Sequence, residues 1–244
     1  MKKPQKLYDW LLNLQQDFGD ETPDPNKLDN ILSEIEKATS AYPVKYLGQG
    51  DNGIAFKTNI GTVLKFTIDN KESLLWSQVA GDTITGLALL HNILHLSDKE
   101  KGNTLVYVIH VAFIPKPLSR NQHKLLNQTI LIARGINKEN ARLQSGSNPL
   151  KPEQMSKQRT LTFISQFQKA AKKDDSFQLV ADMLTNVADR YQSHLIDLQP
   201  DNFKVDDVGN LILIDPSVPN IYNNNVNKPT ILMFEDKINL ALNT

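Results

Sequence analysis

Gly48-Gln49-Gly50-Asp51-Asn52-Gly53 runs straight into Ile54-Ala55-Phe56-Lys57-Thr58, and after Asn59-Ile60-Gly61 comes Thr62-Val63-Leu64-Lys65-Phe66. The glycine spacing is G-x-G-x-x-G, which alone fits more than one fold. The segment just past Gly53 decides between them. A dinucleotide-binding unit needs a helix immediately after the glycines. This chain instead has the period of two that marks a strand, then a tight turn at Asn59-Ile60-Gly61, then another strand. With residues 44–47 ahead of them, runs 54–58 and 62–68 complete three short strands. Glycine at 48, 50 and 53 lets backbone approach phosphate oxygens without a side chain in the way. Lys65 lies twelve residues past Gly53 in an apolar strand. Such a charge needs solvent, an acid or a phosphate as its partner. Alone it reads as a solvated edge charge; behind a glycine-rich hairpin it reads as a phosphate ligand.

Outward from this segment, the composition sets limits. The chain has 244 residues, with 27 Lys+Arg balanced by 27 Asp+Glu, 40% hydrophobic residues and no cysteine. The length suits one large domain or two small lobes. Zero net charge argues against a nucleic-acid binder, which needs a basic excess, and against a polybasic membrane anchor. The lack of cysteine excludes disulfides, cysteine-ligated zinc and a thiol nucleophile. No apolar run approaches the ~18 residues a bilayer crossing requires. The first residues lack the apolar core of a signal peptide. A cytoplasmic protein with no membrane partner is expected.

Residues 1–41 read as two helices, with Leu7, Trp10, Leu11 and Leu14 on one stripe and Leu28, Ile31, Leu32 and Ile35 on the other. Asp24 or Asn26 is the expected cap of the second. A helix over 71–80 carries Leu74, Leu75 and Val79. A mixed stretch, 87–96, precedes a β-branched run over 104–114 that Pro115 and Pro117 stop. Helices are expected over 124–133, 160–172 and 177–193, with a loop over 135–152. Asp174-Asp175-Ser176 caps the last helix, whose stripe is Phe177, Val180, Leu184, Val187 and Tyr191. Trp10 and Trp76 read as packing residues. His91 and His95 lack the glutamate of a zinc helix and read as ordinary imidazoles. Lys169, Lys172 and Lys173 form a solvated helix end.

The rear of the chain carries a second motif. Asp197-Leu198-Gln199-Pro200-Asp201-Asn202 has the form D-x-x-x-x-N, and Asp215 closes a strand thirteen residues beyond Asn202, across a hairpin turn at Val208-Gly209-Asn210. Asp and Asn are also turn formers, so neither motif alone requires chemistry. Together with Gly48, Gly50, Gly53 and Lys65, their order and spacing resemble the protein-kinase-like superfamily. The resemblance covers about residues 42–217. It implies an α+β, two-lobed fold: N-terminal helices at 1–41, a small antiparallel-sheet lobe at 42–117, and a compact helical lobe at 118–244.

It also implies roles. Lys65 would neutralise the α- and β-phosphates of ATP, Asn202 and Asp215 would hold Mg2+, and Asp197 would accept or orient the acceptor's proton. Glu72 is the candidate partner of Lys65, though an acid there also suits a helix N-terminus. The linker near Val111, Ala112 and Phe113 would meet adenine. Several positions depart from the family. Leu195 and Ile196 replace the His and Arg before the aspartate, Gln199 replaces a lysine that steadies the γ-phosphate, and Pro216-Ser217 follows Asp215. Residues 216–244 contain no A-P-E, so no activation-loop switch is expected, and residues 120–173 are expected to supply helical bulk ahead of the catalytic loop. The implied type is a reduced kinase-like protein of the kind found in bacteria and their viruses. The expected function is ATP- and Mg2+-dependent phosphoryl transfer to Ser/Thr of a protein substrate. The alternatives are a pseudokinase-like nucleotide-binding or protein-interaction module and a kinase with a small-molecule acceptor.

Overall fold

The computed structural model describes residues 4–19, 22–97, 104–144, 152–191 and 198–216. The chain is α+β. Two helices come first, α1 (Gln5–Phe18) and α2 (Leu28–Thr39). Asp24 accepts from the Asn26 N–H and caps the short 3-10 turn that leads into α2. Next come strands β1 (Pro43–Gln49), β2 (Gly53–Thr58) and β3 (Val63–Thr67), then α3 (Asn70–Gln78), β4 (Leu90–Ser97) and β5 (Thr104–Val111). These strands form one antiparallel sheet in the order β1-β2-β3-β5-β4.

Strand alternation divides the core between the two faces of this sheet. Ile54 and Phe56 of β2, Leu64 and Phe66 of β3 and Val106 and Val108 of β5 face α1 and α2. There they meet Leu7, Trp10, Leu11, Leu14, Leu28, Leu32 and Ile35, all buried. The apolar stripes of the first two helices exist to cover that face. On the opposite face Ile93, Ile109 and Val111 join Leu75, Trp76 and Val79 and the helical half of the chain.

That half holds α4 (Arg120–Gln144), α5 (Pro152–Ala171) and α6 (Gln178–Tyr191). The structure corrects the loop expected over 135–152: α4 continues through Gly135 to Gln144. An internal glycine costs a helix only about 1 kcal/mol. The stripe Leu126, Ile130 and Ala133 is fully buried and anchors the helix ahead of it. Asn137 then donates to the Arg159 carbonyl on α5 at 3.5 Å. Helix α5 starts eight residues before the expected Thr160, with Pro152 in its first turn, where proline loses no hydrogen bond. The mixed stretch 87–96 is in large part strand β4, the sheet edge. The β-branched run ends as a strand at Val111, three residues short of the expected end. Asp174 accepts from the Ser176 N–H at 3.0 Å and opens the turn into α6.

A small antiparallel pair, β6 (Phe203–Val205) and β7 (Leu211–Leu213), completes the described chain. Its turn is built on Asp206, which accepts from the Val208 and Asn210 N–H groups and the Asn210 amide. Burial disfavours the Asp206 charge, but these hydrogen bonds outweigh it and hold the carboxyl below its usual range. Gly209 adopts φ +103° in the same turn, a conformation that favours glycine.

Candidate functional site

Segment 86–88, at the start of the stretch the sequence left as mixed, helps position the site. The Leu213 N–H donates to the Gly86 carbonyl at 2.8 Å, and the Ala88 N–H donates to the Leu213 carbonyl at 2.9 Å. Leu87 thus forms an isolated parallel bridge to Leu213 of β7. Gly86 has φ +89°, and a Cβ there would lie 2.3 Å from the Leu179 carbonyl of α6. On the other side, the Val205 N–H donates to the Lys116 carbonyl at 2.9 Å. The β6–β7 pair is therefore held from both edges by chain that flanks the large sheet. Its end carries Asn202 and Asp215 together, joined by the Ile214 N–H donating to the Asn202 carbonyl at 2.8 Å.

This register brings front and rear of the sequence into contact. The Lys65 ammonium lies 2.8 Å from Glu72 Oε1 and 2.7 Å from Asp215 Oδ1. Lys65 is on the face of β3 away from α1 and α2, and Glu72 is in the first turn of α3. Glu72 is 2% exposed. Burial pushes its carboxyl up, to about 7, against the pull of the Lys65 ammonium. Burial works against the Lys65 charge, but Glu72 and Asp215 outweigh it and raise its pKa. A lone buried ammonium at this position would be costly; two carboxylates make it tenable.

The triad opens onto a cavity of about 740 Å³. Gly48, Gly50 and Gly53 line it from the β1–β2 hairpin, Ala55 and Val63 from the sheet, and Val111 to Pro115 from the segment after β5. Asn202, Lys204, Ile214 and Asp215 line it from the small pair. The three glycines differ. A Cβ on Gly53 would stand 2.6 Å from the Phe66 carbonyl, so the hairpin itself requires glycine there. A Cβ on Gly48 or Gly50 would meet nothing within 4 Å. The protein makes no packing demand at those two positions, and their bareness keeps space free over the cavity.

Most of the residues singled out in the sequence line this one cavity: Gly48, Gly50, Gly53, Lys65, Glu72, Val111, Phe113, Asn202 and Asp215. Asp197 lies outside the described residues. Val111 pairs with both Val63 and Leu90, and the Ala112 N–H donates to the Leu89 carbonyl at 2.9 Å. Phe113 is therefore the first position past β5 clear of the strand ladder. Sequence reasoning passed over Trp76, Asp201 and Lys204 as cavity residues. Trp76 is a packing residue as expected, 1% exposed, but one turn after Glu72 it also closes the cavity. Lys204 was legible only as a polar residue alternating with Phe203 and Val205.

None of the described histidines lines the cavity. His91 lies against His110 with ring centroids 4.9 Å apart and planes tilted by 48°, and no group of three or more His, Cys, Asp or Glu side chains suited to a metal occurs among the described residues. No described helix is long and apolar enough to cross a membrane. No protein-family model matches the chain, and no curated protein matches it.

Proposed function

We propose that the chain is a two-lobed, protein-kinase-like phosphotransferase that uses ATP and Mg2+. Its sheet lobe would fall within residues 42–117 and its helical lobe within 118–244, and α1 and α2 pack on the sheet. The observation that carries this reading is the convergence of Lys65 with Glu72 and Asp215, the latter 150 residues away in sequence, in a cavity bordered by Gly48 and Gly50.

The residues present fit the ligands. Asp215 and Asn202 offer the hard oxygen atoms that magnesium prefers. The open space at Gly48 and Gly50 suits phosphate held by backbone. When bound, magnesium neutralises phosphate oxygens and ATP supplies the phosphoryl group. Lys65, oriented by Glu72, would clamp the α- and β-phosphate oxygens. Asn202 and Asp215 would hold the ion. Asp197 would orient the acceptor hydroxyl and take its proton. The preferred acceptor is a Ser/Thr hydroxyl of a protein, with a small-molecule alcohol as the alternative.

A second reading, nucleotide binding or protein interaction without transfer, is favoured by one observation: Lys65 occupies Asp215 Oδ1 directly. Incubation with labelled ATP and magnesium separates the two. Label transferred by the natural protein and lost in Asp215→Ala and Lys65→Met supports the enzyme. Thermal stabilisation by ATP without any transfer supports the binding module. Neither stabilisation nor transfer ends both.

A further inference from the structure

The cavity has a charged end and an apolar one. Lys65, Glu72 and Asp215 mark the first. Val63 and Val111, which pair with each other, line it two positions along β3 from Lys65, and Phe113 follows Val111 by two residues. Strand alternation puts Ala55 and Lys57 on the cavity side of β2, opposite Lys65 and Val63 respectively. Lys57 therefore stands at the apolar end. Its ammonium lies over the Phe113 ring, 4.4 Å from the centroid, and forms no ion pair among the described residues. Phe113 lines the cavity and Lys57 does not, so the ammonium bears on ring surface outside the cavity. The Ala112 N–H is held by Leu89 and the Lys116 carbonyl by Val205; among the described residues the backbone of Phe113, Ile114 and Pro115 between them makes no hydrogen bond. Phe113 is only half-buried, and the ammonium is the polar contact that fixes its ring.

Resting on the proposed nucleotide-binding function, we infer that Lys57 is a positioning residue for the base: it holds the Phe113 ring in place as the aromatic wall against which the adenine of ATP lies. An ammonium within about 6 Å of a ring centroid is attracted by the ring's quadrupole. A half-buried ring on a segment without backbone hydrogen bonds would otherwise sample several rotamers, and binding would have to order it. A ring already held gives up less entropy when the base arrives, and the base gains correspondingly in affinity. Lys57 reaches the nucleotide only through Phe113, so its effect falls on the base and not on the phosphates.

The test is titration of the full chain, with magnesium, by ATP and by inorganic tripolyphosphate, which has the charge of the nucleotide and no base. Lys57→Met keeps the aliphatic stem and removes the ammonium. It should weaken ATP about threefold, the worth of one exposed cation–π contact, and leave tripolyphosphate unchanged. Phe113→Leu should weaken ATP about tenfold, and in that background Lys57→Met should have no further effect. Lys57→Arg, whose guanidinium also rests on a ring, should bind ATP as the natural protein does and guards against a folding defect. An unchanged ATP affinity in Lys57→Met, equal weakening of ATP and tripolyphosphate, or an effect of Lys57→Met that persists undiminished in Phe113→Leu overturns this inference and leaves the proposed function standing. No binding of ATP by the natural protein overturns both.

Discussion

On β3, Leu64 and Phe66 point to one side of the large sheet and Val63 and Lys65 to the other. Leu64 and Phe66 are completely buried against the first two helices. Lys65 keeps 20% of its side chain exposed and is ringed by acids. One short strand therefore serves two environments, one dry and one charged. The difference teaches how such a site is made tolerable. The α1/α2 face supplies cohesion through apolar area, at roughly 25 cal/mol per Å² removed from water. The cavity face can then hold an ammonium and carboxylates, which contribute little net stability once desolvation is counted.

The largest expected effect breaks the dry face. Phe66→Ala should cost about 4 kcal/mol in urea denaturation, because a fully buried ring is replaced by a hole. Next comes the polar exception on that face. His110 is buried, and its Nε2 is 2.7 Å from Thr62 Oγ1, which in turn meets Thr58 Oγ1 at 2.7 Å. Burial, aided by nearby His91, lowers its pKa to about 4 from 6.5. Below pH 6.5 the unfolded chain takes up a proton that the folded chain refuses. The His110 contribution to stability should therefore be intact above 6.5, fall as pH drops towards 4, and level off below, while the raised Glu72 carboxyl works in the opposite direction over the same range. At about 1.4 kcal/mol per pH unit the loss is about 3 kcal/mol. His110→Gln should remove that contribution, read as the pH-dependent difference between its denaturation midpoints and those of the natural protein from pH 7 to 4.

On the cavity face the same size of change should appear in activity and not in folding. On the proposed function, Asp215→Ala is expected to reduce phosphoryl transfer at least about 100-fold, the scale seen when one charge-stabilising group is removed. Its circular dichroism should match that of the natural protein. The smallest effect sharpens the comparison inside one hairpin. Gly53→Ala must displace the Phe66 carbonyl and should cost about 2 kcal/mol of stability. Gly50→Ala, with open space around its Cβ, should stay within about 0.5 kcal/mol in stability. Its cost should appear instead as several-fold weaker nucleotide binding. Equal stability loss in the two variants would remove the distinction between structural and ligand-facing glycine.

Local pattern carried far in this chain. The helical stripes of α1 and α2, the hairpin turn at 59–61, the Asp174 cap and the turn at 208–210 were all readable, because each depends on neighbours within a few residues. Gly135 misled for the same reason: a local breaker signal was overruled by burial of Leu126, Ile130 and Ala133 on one side and a contact to α5 on the other. Of the candidate site, Lys65, Glu72, Asn202 and Asp215 were singled out through the resemblance of their motifs to the protein-kinase-like superfamily.

What the sequence determined by itself was which side chains are chemically unusual: a lysine in an apolar strand, bare glycines in a turn, acids at strand ends. Only the tertiary structure decided that three of those charges touch, that residues 86–88 pin β7 beside the large sheet, and that Lys204 faces the cavity. Such contacts depend on the register between segments more than a hundred residues apart, and no local pattern encodes a register that is fixed by packing and long-range hydrogen bonds.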